Sequence, residues 1–454
     1  MSEHCGYVVR VENLRPHTNA DRLQILTVFE EDVIVGLDTH VGEIGVYFPC
    51  DLQLSEKFCE VNNLVRKKDP ATGENIGGYM DPDKRNVKAI KLRGEKSNGL
   101  YLNITCLSEF CNISDLKPGD QISVINGEEI CKKYIPMRRN TSEYHGQKVK
   151  KAKANIAPTF YEHVDTEQVA YNLNKFHNGD EIQLTLKMHG TSGRTGHLPL
   201  LHYKRSLLDK IFKRTGKEYY EYGYITGTRR VVLDGKREGG FYESDDFRHA
   251  MEEIYFKDKL PKGFVVYYEI VGFQGPGGAP IMAQVQNSKV KDKEFTKQYG
   301  EVTTFDYGCD QQGNYEETPA YGDLVMAACC YPYVYRITMV NEDGEVVELS
   351  PDQIRYYCEC WNVPIVPEFE RFVIPEDVNP GEYVVRKIEQ YYDGPDPVGR
   401  THIREGVVAR IMNRTKFEVY KMKNINFKIL EGIAKDEATA PDIEEAQEII
   451  NDEG

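Results

Sequence analysis

Residues 184–196 read LTLKMHGTSGRTG, and the place of one lysine in that stretch decides how the rest of the chain is read. Leu184 and Leu186 alternate with polar neighbours up to Lys187, which predicts a half-buried strand ending on a cation. Gly190 follows three residues later among Gly, Ser and Thr, a composition that reads as a polar turn. A lysine that attacks phosphorus must lose a proton and stand clear of its strand. A nearby glycine lets backbone and phosphate approach closely. Alone, a lysine with a glycine three positions on is a weak signal.

Further segments follow in order. VVYYEIVG is an apolar strand running into an acid and a glycine, and it carries Glu269; TTFDYG carries Tyr307. HIREGVVARI repeats the acid–glycine–strand pattern with Glu405 and Gly406. FEVYKMKN presents Lys421 and Lys423 two residues apart, hence on one side of a strand.

In this order and spread the sequence resembles the covalent nucleotidyltransferases, that is, the polynucleotide ligases and mRNA-capping enzymes. KMHGTS is similar to their motif I, GTRR to motif Ia, YYEIVG to motif III, TFDYG to motif IIIa, EGVV to motif IV and KMK to motif V. The resemblance implies that Lys187 is the nucleophile that takes AMP from ATP, with Gly190 in the nucleotide loop. Lys421 and Lys423 would bind phosphate and supply the cations that help activate it. Glu269 would bind a ribose hydroxyl, Tyr307 would stack on adenine, and Arg229, favoured over Arg230, would contact phosphate or sugar. Glu405 would belong to the shell of a divalent metal, Mg2+ or Mn2+. Outside this set, His189 and Arg194 attract notice but are not assigned, their rivals being a packed histidine and a surface arginine, and GPGGAP at 275–280 reads as a turn.

The HGTS form resembles RNA ligases of the nick-sealing branch, although Ser192 stands where that branch commonly carries Asn. Too few residues follow Lys423 for the barrel that bears the last motif of DNA ligases and capping enzymes. A strand-rich region precedes motif I instead, an order that resembles the Deinococcus-type RNA ligases. The implied fold is α+β: an N-terminal OB-like β-barrel, then a nucleotidyltransferase domain of antiparallel sheets with flanking helices, an ATP-grasp-like ligase fold. The implied activity is ATP-dependent sealing of 3′-OH/5′-phosphate breaks in RNA or RNA-containing nicked duplexes, through lysyl-AMP and an adenylylated 5′ end. A DNA ligase or capping-type enzyme is the nearest alternative. A non-catalytic RNA-binding OB protein is the alternative from another class.

Runs such as Leu23–Phe29, Ile44–Phe48 and Gly99–Ile104, rich in Val, Ile, Tyr and Phe and punctuated by Asn, Asp, Gly or Pro, support a small barrel at the N-terminus. Within it, RPHTNADRLQILTV resembles the HPNADxL turn of the tRNA-binding OB domains attached to some aminoacyl-tRNA synthetases. The expected domains are 1–130, OB-like; 131–158, a basic linker; 159–433, nucleotidyltransferase; and 434–454, an acidic tail with a short helix.

The 454 residues hold 57 Lys+Arg against 72 Asp+Glu, a net charge of −15, which excludes an indiscriminate electrostatic binder of nucleic acid. Residues 131–153 run against that trend with eight Lys/Arg to one acid, and Lys132, Lys133, Arg138, Arg139 and Lys150 are candidates for tracking phosphates. A second basic stretch, 204–230, interleaves tyrosines, a mixture that serves phosphates and bases together. The 11 cysteines contain no CxxC pair and read as reduced thiols. A cytoplasmic protein without a membrane span is expected, with a monomer as the favoured state.

Overall fold

A computed structural model describes residues 4–67, 71–72, 76–134, 156–164, 166–206, 216–233, 246–281, 285–286, 296–297, 302–303, 329–341, 343–398 and 403–436. Tyr307, Arg138, Arg139 and Lys150 lie outside these residues, as do most of the basic segment and the acidic tail. The chain divides into two compact units. One gathers the described residues up to 134 with the helix Ile425–Asp436; the other holds those from 156 to 423.

The first unit is built from strands β1 (Gly6–Arg10), β2 (Leu14–Pro16), β3 (Leu23–Val28), β4 (Glu31–Gly36), β5 (Ile44–Phe48), β6 (Leu52–Leu54) and β7 (Ala89–Leu92). Then come β8 (Glu95–Asn98), β9 (Leu100–Asn103), β10 (Gln121–Ile122), β11 (Val124–Ile125), β12 (Glu128–Glu129) and β13 (Cys131–Lys133). Phe29 and Glu30, both with positive φ, make the tight turn between β3 and β4, as a two-residue hairpin requires. A helix at Glu56–Val61, missed in the sequence, starts where the Ser55 side chain accepts from the Phe58 N–H. Val8, Val46, Phe48, Leu54 and Phe58 fill the core between these elements.

The expected barrel does not close among the described residues. The strands form a four-stranded sheet of order β10-β1-β5-β9, a three-stranded sheet β2-β3-β4 and separate pairs, and the edge strands β9 and β10 do not pair with each other. Cys131–Lys133, expected to open the linker, instead pairs with Leu54–Leu52, because Cys131 is buried and draws the segment onto β6.

The second unit continues with β14 (Glu167–Gln168), β15 (Glu181–Lys187), β16 (Thr191–Lys204), β17 (Lys217–Gly227), β18 (Val232–Leu233), β19 (Phe264–Gly272), β20 (Val285–Gln286) and β21 (Val302–Thr303). It ends with β22 (Cys330–Val340), β23 (Val346–Glu348), β24 (Glu368–Val373), β25 (Gly406–Ile411) and β26 (Glu418–Lys423). Two larger sheets result, of order β14-β26-β25-β15-β24 and β18-β17-β16-β19-β22-β23. Ile182, Leu184, Val407 and Ala409 on one face of the first pack on the helix Pro380–Glu389 through Val384 and Ile388. The second packs on the helices Asp246–Met251 and Pro351–Trp361. The latter begins with a capping box between Ser350 and Gln353 and has Pro351 in its first turn. Among the described residues no helix is long and apolar enough to cross a membrane.

Candidate active site

The face of the first sheet opposite its apolar core carries the site. Antiparallel register sets Lys187 at the end of β15 opposite Gly406, and Gly406 opposite Lys423 at the end of β26. Two lysines far apart in sequence thus stand one strand either side of a glycine, on the same face. A Cβ on Gly406 would sit 2.1 Å from the Met422 carbonyl oxygen, so a side chain there would force the two strands apart.

Glu405, immediately before that glycine, is buried and gathers the neighbouring groups. Its Oε1 accepts from Lys187 Nζ at 2.7 Å and from Lys423 Nζ at 3.2 Å, and its Oε2 lies 3.3 Å from His189 Nδ1. Burial works to raise the carboxyl pKa, but Lys187, Lys423 and His189 outweigh it and hold the group well below the usual carboxylate range. Lys187 keeps 24% of its side-chain exposure, so the amine is anchored but reachable. Lys421 lies two residues back on the same face, opposite Val408. Two ammonium groups on one carboxylate leave local positive charge, suited to a polyphosphate.

The segment after Lys187 crosses from the first sheet to the second. Its glycine serves the crossing: a Cβ on Gly190 would come within 2.3 Å of the Ile270 carbonyl oxygen and 2.9 Å of Glu269 Cγ. The close approach is therefore to β19, and it sets Gly190 against the half-buried Glu269. The polar turn is shorter than the composition suggests, for Thr191 already begins the long strand β16. Gly193 allows that, since a Cβ there would meet the Tyr268 ring at 2.4 Å.

Arginines that the sequence did not mark lock this crossing in place. Arg248, 2% exposed, donates from Nη2 to Thr191 Oγ1 at 2.8 Å and from Nη1 to the Ser192 carbonyl. Arg194 is 1% exposed and is not a surface residue. It donates to the carbonyls of Phe160 at 3.0 Å and Arg230 at 3.1 Å, with its guanidinium 4.3 Å over the Phe160 ring. It thereby fixes the turn after β17, where Arg229 is half-buried and Arg230 exposed. His189 is buried as expected of a packed histidine, but its partner is the site carboxylate.

Lys132 and Lys133 lie in the first unit, in β13; Lys132 pairs with Glu129 at 3.0 Å. The structure thus brings together Lys187, Glu405 and Lys423 and sets Gly190 against Glu269. Among the described residues no group of three His, Cys, Asp or Glu side chains is arranged to hold a metal ion alone.

No protein-family model matches the chain, and no curated protein does either. Solved structures do. A lysine-to-alanine mutant of Naegleria gruberi RNA ligase without ligands is 15% identical, with TM-score 0.54 over 94% of this chain and 98% of that one. Another lysine-to-alanine mutant, solved with ATP and Mn, matches at 15% identity and TM-score 0.53 over 93% of this chain and 98% of that one. The RNA ligase with PPi matches at 15% and 0.53 over 93% and 97%. At this identity the likeness is one of fold, along almost the whole length of both chains, and the mixed α+β architecture of mainly antiparallel sheets is that of an RNA ligase fold.

Proposed function

We propose that the chain is an ATP-dependent RNA ligase that seals 3′-OH/5′-phosphate breaks, with nicks in a duplex as its substrate. The observation that carries this reading is the row Lys187–Gly406–Lys423 with Glu405 beneath it: a reachable lysine held on a buried carboxylate next to a second lysine, in a fold shared with RNA ligase. Before attack Lys187 gives up one proton. Its nitrogen then bonds to the α-phosphorus of ATP as the bond to the pyrophosphate oxygen breaks. AMP passes to an oxygen of the RNA 5′-phosphate, the P–N bond breaking and a P–O bond forming. Finally the 3′-hydroxyl oxygen attacks the 5′-phosphorus and AMP leaves.

Lys423 and Lys421 would compensate phosphate charge during these steps, and Glu269 beside Gly190 would take a ribose hydroxyl. Arg229, on the turn held by Arg194, would contact phosphate or sugar, and Tyr307 would stack on adenine. The donor set suits Mg2+ or Mn2+ bound through one carboxylate plus nucleotide phosphates, the habit of small hard cations. Glu405 would hold that ion, which polarises the phosphoryl oxygens when bound. We keep the OB-like, Deinococcus-type reading of the first unit as part of the proposal, with Lys132 and Lys133, and with Arg138, Arg139 and Lys150 beyond them, tracking phosphates.

Incubation with ATP labelled at the α-phosphate and Mg2+ or Mn2+ should label the protein covalently, and Lys187→Ala should abolish the label. A wild-type chain that takes no label from ATP or GTP would end the proposal. Preference for GTP would point to capping chemistry, and equal sealing of deoxyribose 3′ ends to a DNA ligase.

A further inference from the structure

The ribbon made by β16 and β17 carries a surface that its own folding does not call for. Its inner half is packed, from Thr191 to Gly196 and from Ile225 to Gly227. Its outer end, from His202 to Lys204 and from Lys217 to Glu221, is exposed. Two strands alone gain little from burial, so side chains at this end are free to be chosen for another purpose.

On one face the register sets Lys204 directly opposite Lys217 and, one pair further in, His202 opposite Tyr219. The His202 and Tyr219 rings stack with centroids 5.4 Å apart and planes 27° apart. On the other face stand Tyr203 and Tyr220, 38% and 57% exposed. Like charges directly opposite in an antiparallel ladder destabilise it, so the lysine pair calls for an anion between its ammonium groups. Glu218 and Glu221 also lie on the ribbon, inward of the lysine pair. A cation pair one step from a stacked ring pair matches a nucleic-acid strand, where a phosphate adjoins the flat face of a base.

We propose that the outer end of the β16–β17 ribbon is a second RNA-binding site. Lys204 and Lys217 take a backbone phosphate, and the His202–Tyr219 stack takes the adjoining base. The inference rests on the RNA ligase reading and deepens it. Strand β16 starts just after the motif I crossing, and at about 3.3 Å per residue the span from Thr191 to His202 is roughly 36 Å. At about 3.4 Å per nucleotide that is on the order of ten nucleotides from the break. The ribbon therefore measures the flank of the substrate.

The test uses the full chain and nicked substrates with flanks of about five or about twenty nucleotides. Lys204→Ala with Lys217→Ala, and separately His202→Ala with Tyr219→Ala, should raise KM for the long flank about tenfold. Both pairs should leave the short-flank KM and ATP labelling as in the wild type. The lysine variant should also make the log–log salt slope of RNA binding shallower by about one, and Lys→Arg at both positions should restore it. Unchanged kinetics on both substrates, or equal loss on both, overturns the proposal. A wild-type chain that takes no label defeats the ligase reading separately. Direct binding of a duplex of about twenty base pairs then decides the ribbon: affinity must fall about tenfold in the variants, and unchanged affinity overturns it.

Discussion

Two carboxylates in the second unit each sit among cations, and their surroundings suit opposite purposes. Glu405 adjoins the start of β25 and holds Lys187 and Lys423. Glu348, at the end of β23, holds Arg336 from Nε at 3.0 Å and through a second guanidinium nitrogen. The Arg336 guanidinium lies 4.6 Å from both the Tyr267 and Phe417 rings. Arg410, four residues along β25 from Gly406 and on the same face, lies 5.0 Å from the Phe417 ring and donates to the Leu349 carbonyl at 2.7 Å. His163 beside Arg336 is held well below its usual pKa by burial and then by Arg336, so it stays neutral. Burial pushes even Arg410 down to about 10.

The difference lies in the cation. A guanidinium cannot serve as a nucleophile at neutral pH, and stacked between rings it has no room to move; an ammonium on a flexible stem can lose its proton and turn towards a substrate. The arginine centre is a clasp, whereas the lysine centre is a loaded site. Exchanging the cations should expose that division. Lys187→Arg keeps a cation on Glu405 and should leave thermal stability within about 1 kcal/mol, yet labelling by ATP should vanish. Arg336→Lys loses the fork and the ring contacts and should cost about 2–3 kcal/mol by denaturant melts, while the folded fraction still labels. Loss of labelling in a folded Arg336→Lys chain would show that the arginine centre serves the chemistry as well as the fold.

Removing the acids ranks the two centres by their contribution to stability. Glu348→Gln strands a buried guanidinium and should destabilise by about 3–5 kcal/mol in urea melts. Glu405→Gln should cost less, about 2 kcal/mol, because Lys187 and Lys423 keep partial access to water. The reverse order of these two losses would show that the lysine centre, not the arginine centre, is the main clasp of the unit.

The sequence exposes the two centres unequally. Strand β25 was legible to the residue, because GVVARI is apolar on a period of two and follows a charged turn. Lys187 and Lys423 could be singled out one at a time, but their place in one row across β25 is a matter of register. Pairing between segments this far apart leaves no local trace. The role of Arg194 is hidden in the sequence because GTSGRTG has the composition of a turn. The glycines there instead let a strand pass under Tyr268 and Phe160, and tertiary packing overrides the local preference. Arg248 sits in a short helix whose sequence gives no sign that its guanidinium ends on Thr191. Closure of the N-terminal strands could not be read either, since runs of three to six residues fix a strand's existence but not its neighbours.

The smallest effect is the most specific to Glu405. Its pKa in the folded chain lies below the ordinary value of 4.5, so the stability it contributes is complete above about that pH and is lost as pH falls towards the folded value. Glu405→Gln removes the charge but keeps the shape. The gap in Tm between wild type and variant should therefore be constant at neutral pH and shrink steadily from about pH 4.5 towards pH 3. Glu368 is also held low, through its bonds to Arg371 and Gln183 against the effect of burial, but it is present in both proteins and cancels from the difference. A gap that stays constant down to about pH 3 would mean that the two lysines do not lower the Glu405 pKa against its burial. The ion pairs of Glu405 would then add no net stability to the fold, and the distinction from the arginine clasp would rest on exposure alone.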